Sequence, residues 1–146
     1  MNHENKYGHL IVSDLRHEPE MTDEFREMYR KFAKRVLWID GEIVPGAFQM
    51  NVSWYCKVPE KDPVFPEHSH DSAEIIGFFG SDPANPYELQ GEIQIDLDGE
   101  AHRITKSSLI FLPPQLPHAI HIVRVDAPIF HFSVVNEKTY NGSAYQ

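Results

Sequence analysis

Between Leu37 and Val135 the chain is a succession of short apolar runs separated by proline and glycine, and this punctuation constrains the fold more than any other feature. Met50, Val52, Trp54, Cys56 and Val58 alternate with Gln49, Asn51, Ser53, Tyr55 and Lys57, the period of a strand with one apolar and one polar face. Glu74 to Phe79 is a short apolar run, and Glu92 to Leu97 alternates again before a turn at Asp98-Gly99. Leu109 to Leu112, Ala119 to Val125 and Ile129 to Val135 complete the series. Many short strands joined by turns predict a mostly β fold, a sandwich or a small antiparallel barrel.

One helix precedes them. Thr22 can cap it, Asp23 and Glu24 sit in its first turn, and Lys34 and Arg35 lie near its end, an order that suits the helix dipole. Phe25, Met28, Tyr29, Phe32, Ala33 and Val36 form one apolar stripe, expected to pack on a sheet or on a second subunit. The spacing therefore predicts a single domain over 1–146. Residues 1–48 form a helical and extended arm packed on a barrel core at 49–135. Gly80 to Tyr87 is rich in turn formers and reads as a loop inserted between strands, by default a surface excursion and less readily a lid.

Composition removes several function classes. The chain has 146 residues, 41% of them hydrophobic and 24% charged, which suits a globular protein. Its formal net charge of −9 repels phosphate backbones, so no nucleic-acid partner is expected. No apolar run is long enough to span a bilayer and the N-terminus lacks the apolar segment of a signal peptide, so no membrane partner is expected. Cys56 is the only cysteine, which suits a reducing, cytoplasmic location.

Chemistry is concentrated at His68, His70, Glu74 and His118. Residues two apart on a strand face the same side, so His68 and His70 project together. Glu74 can reach the same point from the next strand across a tight turn. His118 follows Pro113-Pro114-Gln115-Leu116-Pro117, a stretch stiff enough to hold a ligand with little entropy left to lose. Three imidazoles and one carboxylate suit one divalent transition metal, Fe, Mn, Ni, Co or Zn, and leave it with a net charge of about +1 that attracts an anion.

These residues resemble the ligand core of the cupin superfamily. Its first motif runs Gly, five residues, His-x-His, three or four residues, Glu, six residues, Gly. Here Asp62 and Ser81 stand at the glycine positions, with Gly80 one place early and Gly91 able to take the later glycine's structural role. In the second motif Pro113 and His118 match, whereas Ser107, Gln115 and Ile122 stand for Gly, Gly and Asn. The resemblance covers roughly Gln49 to Val135. It implies a double-stranded β-helix, or jelly-roll-like barrel, with the metal inside and often paired as a homodimer. The family's activities are too diverse to name a reaction.

The remaining candidates are weaker. Tyr55 and Asn51 face together and Phe78 shares the parity of Glu74, which makes these three the substrate-binding candidates. The polar outer face of its strand is the plainer expectation for Tyr55 and Asn51. His121, three residues from His118, should face away from the metal, and Arg124 lies roughly 20 Å along the strand, too far to help. His102 and His131 are expected as hydrogen-bonded structural groups, while His3, His9 and His17 precede the barrel. No catalytic acid or base is legible. The function expected is a metal-dependent dioxygenase, lyase or isomerase acting on a small oxygen-rich anion. The alternatives are a non-catalytic small-ligand module and a purely structural metal.

Overall fold

The structure, a computed structural model, describes residues 6–136. His3 lies outside the described residues. After a short 3-10 turn at Gly8–Leu10, one α-helix, α1 (Asp23–Phe32), leads into nine strands. These are β1 (Ala33–Ile39), β2 (Gln49–Tyr55), β3 (Phe65–His68), β4 (Glu74–Phe79), β5 (Glu88–Leu97), β6 (Glu100–Lys106), β7 (Ser108–Leu112), β8 (His118–Val125) and β9 (Ile129–Val135). They form a five-stranded sheet, β1-β2-β9-β4-β7, and a four-stranded sheet, β3-β8-β5-β6, every pairing antiparallel. The two sheets are not hydrogen-bonded to each other, so the expected barrel is an open jelly-roll sandwich. No helix among the described residues is long and apolar enough to cross a membrane.

The helix starts where its cap predicts. Thr22 has extended backbone and its hydroxyl accepts the Phe25 N–H at 3.1 Å. Replacing Thr22 with alanine is expected to cost about 1 kcal/mol, seen as a lower denaturation midpoint with an unchanged slope. Phe25, Tyr29 and Phe32 bury the apolar stripe against the sheets, with Phe25 near Phe65 and Phe32 near Tyr55. The helix ends sooner than its spacing predicts. From Ala33 the chain is extended and pairs with β2, so Lys34, Arg35 and Val36 belong to β1. Arg35 explains the change. Its buried guanidinium donates to Asn51 Oδ1 at 2.7 Å and Glu18 Oε2 at 3.0 Å and lies 4.6 Å over the Tyr29 ring. Those contacts need an extended backbone here, and tertiary pairing outweighs helical spacing. The sheet thus includes an edge strand from within residues 1–48, upstream of the expected core.

β2 corrects a second expectation. Gln49, Asn51, Ser53 and Tyr55 are buried, whereas Met50, Val52 and Trp54 point to the outside and are only half-buried. Its polar face is therefore the inner one. Tyr29 and Ser53 share a 2.6 Å hydrogen bond, and Asn51 accepts from Arg35, which offsets the desolvation of these groups. On β9 the inner positions are Ile129, His131, Ser133 and Val135, and Phe130, Phe132 and Val134 face outward beside those of β2.

Two glycines are needed where backbones nearly touch. A Cβ on Gly80 would collide with the carbonyl oxygen of Glu88, and one on Gly91 would lie 2.5 Å from the carbonyl oxygen of Arg124. The loop after Gly80 leaves β4 at the end opposite Glu74, roughly 20 Å away along the strand, and so is not a lid over that end.

Candidate metal centre

His68 closes β3 and pairs directly with His118, the first residue of β8. His70 follows in the short connection to β4, whose first residue is Glu74. The proline-rich loop before His118 is latched to this connection. Gln115 N–H donates to the His70 carbonyl at 2.7 Å, and its side-chain amide donates to Asp71 Oδ1 at 2.6 Å. Gln115 has φ 71°, a left-handed conformation that costs roughly 1–2 kcal/mol for a residue with a Cβ. Two hydrogen bonds of about 1 kcal/mol each offset that cost.

The result brings all four predicted ligands together. One nitrogen from each of His68, His70 and His118 lies within 4.8 Å of the others. Glu74 Oε1 is 3.0 Å from His70 Nε2 and 3.6 Å from His118 Nε2. His68 Nδ1–H donates to the Pro66 carbonyl at 2.7 Å and His118 Nδ1–H to the Leu116 carbonyl at 2.9 Å. A carbonyl can only accept, so Nδ1 carries the proton and the Nε2 lone pair of each ring is left for a metal. Burial pushes the His68 pKa down to about 4 and lowers that of His118, so both rings are neutral at pH 7. Glu74 Oε1 is fully buried and accepts no hydrogen bond among the described residues. Leaving such an oxygen unsatisfied costs about 1–3 kcal/mol, and a cation beside three imidazole nitrogens would satisfy it. The donor set fits a divalent ion of the Fe, Mn, Ni, Co and Zn group.

A cavity opens beside this set. His68, Glu74 and His118 form one part of its wall; Gln49, His131 and Ser133 supply other polar groups; and Trp38, Phe65, Ile76 and Ile120 make it apolar between them. Its interior offers about 30 Å³ to the centre of a water molecule, whereas one water needs about 10–15 Å³. Tyr55, Asn51 and Phe78 do not line it. Asn51 is engaged by Arg35, and Tyr55 and Phe78 stack on His131 with ring centroids 4.8 and 4.9 Å away. Their position makes them supports of the cavity rather than its surface. His131 is fully buried, its Nδ1–H donates to the Gly77 carbonyl at 3.0 Å, and desolvation holds its pKa down to about 3.

Trp38, Gln49, His131 and Ser133 were not legible as cavity residues. Gln49 shares the parity of Asn51 and Tyr55, a signal hidden by assigning that face to solvent. His121 faces away from the centre, as parity requires. Burial alone would lower its pKa, but the carboxylates of Asp96 and Asp62, at 2.8 and 2.6 Å, raise it. Arg124 pairs with Asp126 and Glu92 on the outside. A second close group, His17 with Asp40 and Glu42, has its buried carboxylate engaged. Asp40 accepts from Trp38 Nε1 and from the N–H groups of Glu42 and Ile43.

No family model matches the chain, and no curated protein matches it. Solved structures do. The Cnp3 cupin domain of Schizosaccharomyces pombe aligns with 72% of this chain and 65% of its own at 15% identity, TM-score 0.48. An RmlC-like cupin from Shewanella frigidimarina aligns with 73% and 78% at 18% identity, TM-score 0.46. A recombinant oxalate oxidase in complex with glycolate aligns with 90% of this chain at 14% identity, TM-score 0.54; the match spans 61% of that longer chain. The chain has the cupin fold. At these identities the likeness is one of architecture, and three of the departures from the cupin motifs have a local reason here. Asp62 replaces a glycine and its carboxylate holds His121. Ser107 replaces another, accepting the Gly80 N–H at 3.1 Å and donating to the Pro86 carbonyl at 2.7 Å. Gln115 keeps the left-handed backbone that a glycine would supply.

Proposed function

We propose that this cupin is a mononuclear divalent-metal enzyme acting on a small, oxygen-rich anion, an oxygenase or a lyase or isomerase. The observation that carries the reading is the convergence of three imidazoles and one carboxylate beside a small, partly polar cavity. A bound divalent ion supplies Lewis acidity and, if iron, access to dioxygen. His68, His70, Glu74 and His118 would hold it. The four donors carry one negative charge against two positive, so an anionic oxygen is the favoured visitor. The rest of the wall is neutral and selects by shape and hydrogen bonding. Gln49 Oε1 is buried and has no hydrogen-bond partner among the described residues, so a substrate hydroxyl that donates to it would relieve about 1–3 kcal/mol. We further propose a cytoplasmic location, since Cys56, the only cysteine, is exposed and suits a reducing compartment.

The test combines metal content with ligand binding. Purified protein should hold about one transition ion per chain by elemental analysis. Small 2-hydroxy and 2-oxo acids should perturb the metal's optical or paramagnetic signature, and at least one should be turned over. Gln49→Leu should weaken that binding about tenfold, equivalent to about 1.4 kcal/mol, with metal content unchanged. Loaded protein that ignores every such acid, in binding and in turnover, would sink the enzyme reading; binding without turnover would leave a ligand-sensing module.

A further inference from the structure

Strand register orders the polar groups of the cavity wall by their distance from the metal ligands. On the inner face of the five-stranded sheet, Gln49 and Glu74 both pair with Val135 and so share one row. Ser133 pairs with Asn51 and Ile76 in the next row, and His131 with Ser53 and Phe78 in the row after that. At roughly 3.3 Å per residue, His131 stands two rows and about 13 Å along the sheet from Glu74. Among the residues that line the cavity from this sheet, it belongs to the row farthest from the metal centre.

The chemistry of this ring is fixed by its neighbours. Its Nδ1–H donates to the Gly77 carbonyl, so Nε2 carries a lone pair and can only accept. Nε2 lies on the ring edge farthest from the backbone, and a side chain rooted on the inner face of β9 carries that edge toward the space between the sheets. Tyr55 and Phe78 stack against the ring, and Gly77 is its one hydrogen-bond partner among the described residues. Desolvation keeps the ring neutral at pH 7, and the positive charge of Arg35 opposes a second cation beside it.

We infer that His131 Nε2 is a specificity-determining acceptor, which takes a hydrogen bond from a hydroxyl at the end of the ligand remote from the metal. The ligand class is then a hydroxy acid whose carboxylate meets the metal and whose hydroxyl lies several bonds away. This assignment rests on the cavity being the ligand site proposed above. A carbonyl or carboxylate at the far end would set acceptor against acceptor, and a methyl would leave Nε2 unpaired. An ammonium would meet the charge of Arg35. Ser133, whose hydroxyl both donates and accepts, tolerates either kind of group in between. Trp38, Phe65, Ile76 and Ile120 suit the carbon chain that joins the two ends.

The full chain loaded with zinc is titrated calorimetrically with straight-chain acids of three to six carbons. At each length the ω-hydroxy acid is compared with the unsubstituted acid and the dicarboxylate, as in 4-hydroxybutanoate, butanoate and succinate. At the best length the hydroxy acid should bind roughly tenfold tighter than the other two. His131→Asn keeps a side-chain N–H where Nδ1–H stands and lacks the distal acceptor. It should abolish that preference and leave metal content and the affinity for the unsubstituted acid unchanged, whereas loss of a merely structural histidine would weaken every acid alike. One readout needs no variant to fold. In the wild type, the 15N resonance of His131 Nε2 should move toward that of a hydrogen-bonded nitrogen on adding the hydroxy acid, and not on adding the unsubstituted one. Hydroxy acids that bind no better than their partners overturn the inference and leave the metal-site reading standing. So does a preference that survives His131→Asn, or an Nε2 resonance that stays in place. If no acid of any length binds, the cavity is not a ligand site, and the inference falls together with that reading.

Discussion

Replacing His118 with alanine is expected to weaken metal binding by more than 100-fold and to remove most of the metal's stabilising effect on the fold. A ligand that binds only the native state adds RT ln(1 + [L]/Kd), about 2.7 kcal/mol at a metal concentration 100 times Kd. Loss of a partner that only orients a ligand already costs 10–100-fold, and loss of the ligand itself exceeds that. At the same metal concentration a variant weakened 100-fold gains only about 0.4 kcal/mol. The difference, about 2.3 kcal/mol, corresponds to roughly 5–9 °C in Tm for a chain of this size. The comparison is made within each protein, with metal and with chelator, because the substitution also removes the hydrogen bond to the Leu116 carbonyl and shifts the baseline. His121→Ala is the control. Its imidazole lies on the outer side of β8 between Asp62 and Asp96, so its metal-dependent Tm rise should equal that of the wild type. A His118 variant that keeps the full rise would show that the metal binds elsewhere or not at all.

That the four candidate ligands lie close together was legible from the sequence, because three of them are closely spaced and the connections are tight or stiff. All four converge, though not by the route expected: β3 ends at His68 and His70 lies in the connection after it, so loop geometry rather than strand parity brings the two rings together, while Glu74 opens the next strand and His118 follows the stiff approach. The inner wall of the cavity was not legible, for a general reason. Alternation in β2 tells that its two faces differ, but not which one faces in; that depends on what each face meets. Here Gln49, Asn51, Ser53 and Tyr55 meet Arg35, Tyr29 and the cavity, and the apolar face is left for the outside. β6 was missed because nearly every residue in it is exposed, so it carries no apolar period. What fixes it is the hairpin with β5, whose Asp98 and Gly99 both have positive φ, 51° and 81°, the geometry of a tight two-residue turn. β3 was missed because it is only four residues long and contains Pro66. Its place comes from pairing with β8, which no local pattern announces.

His131 should make the metal-free protein lose stability as pH falls, and His131→Phe should remove that loss. Folded, its pKa is about 3 because burial penalises the charged ring; unfolded, it returns to about 6.5. The folded value is the lower one. Between the two values the unfolded chain binds the extra proton, so stability rises with pH over that window and falls as acid is added. At about 1.36 kcal/mol per unit, moving from pH 7 to pH 4.5 costs on the order of 2.7 kcal/mol from this group alone. Phenylalanine keeps the ring between Tyr55 and Phe78 but leaves the Gly77 carbonyl without its donor, a loss of about 1–3 kcal/mol at neutral pH. The variant should therefore be the less stable protein at pH 7, and the gap should close or reverse by pH 4.5. Denaturant midpoints measured across this range with chelator present would show it. His68 also has a lowered pKa, but it titrates in both proteins and cancels in their difference. Parallel stability curves for the two proteins would mean that His131 does not take up a proton on unfolding, and the neutral, polar wall proposed for the cavity would have to be redrawn with a charged ring in it.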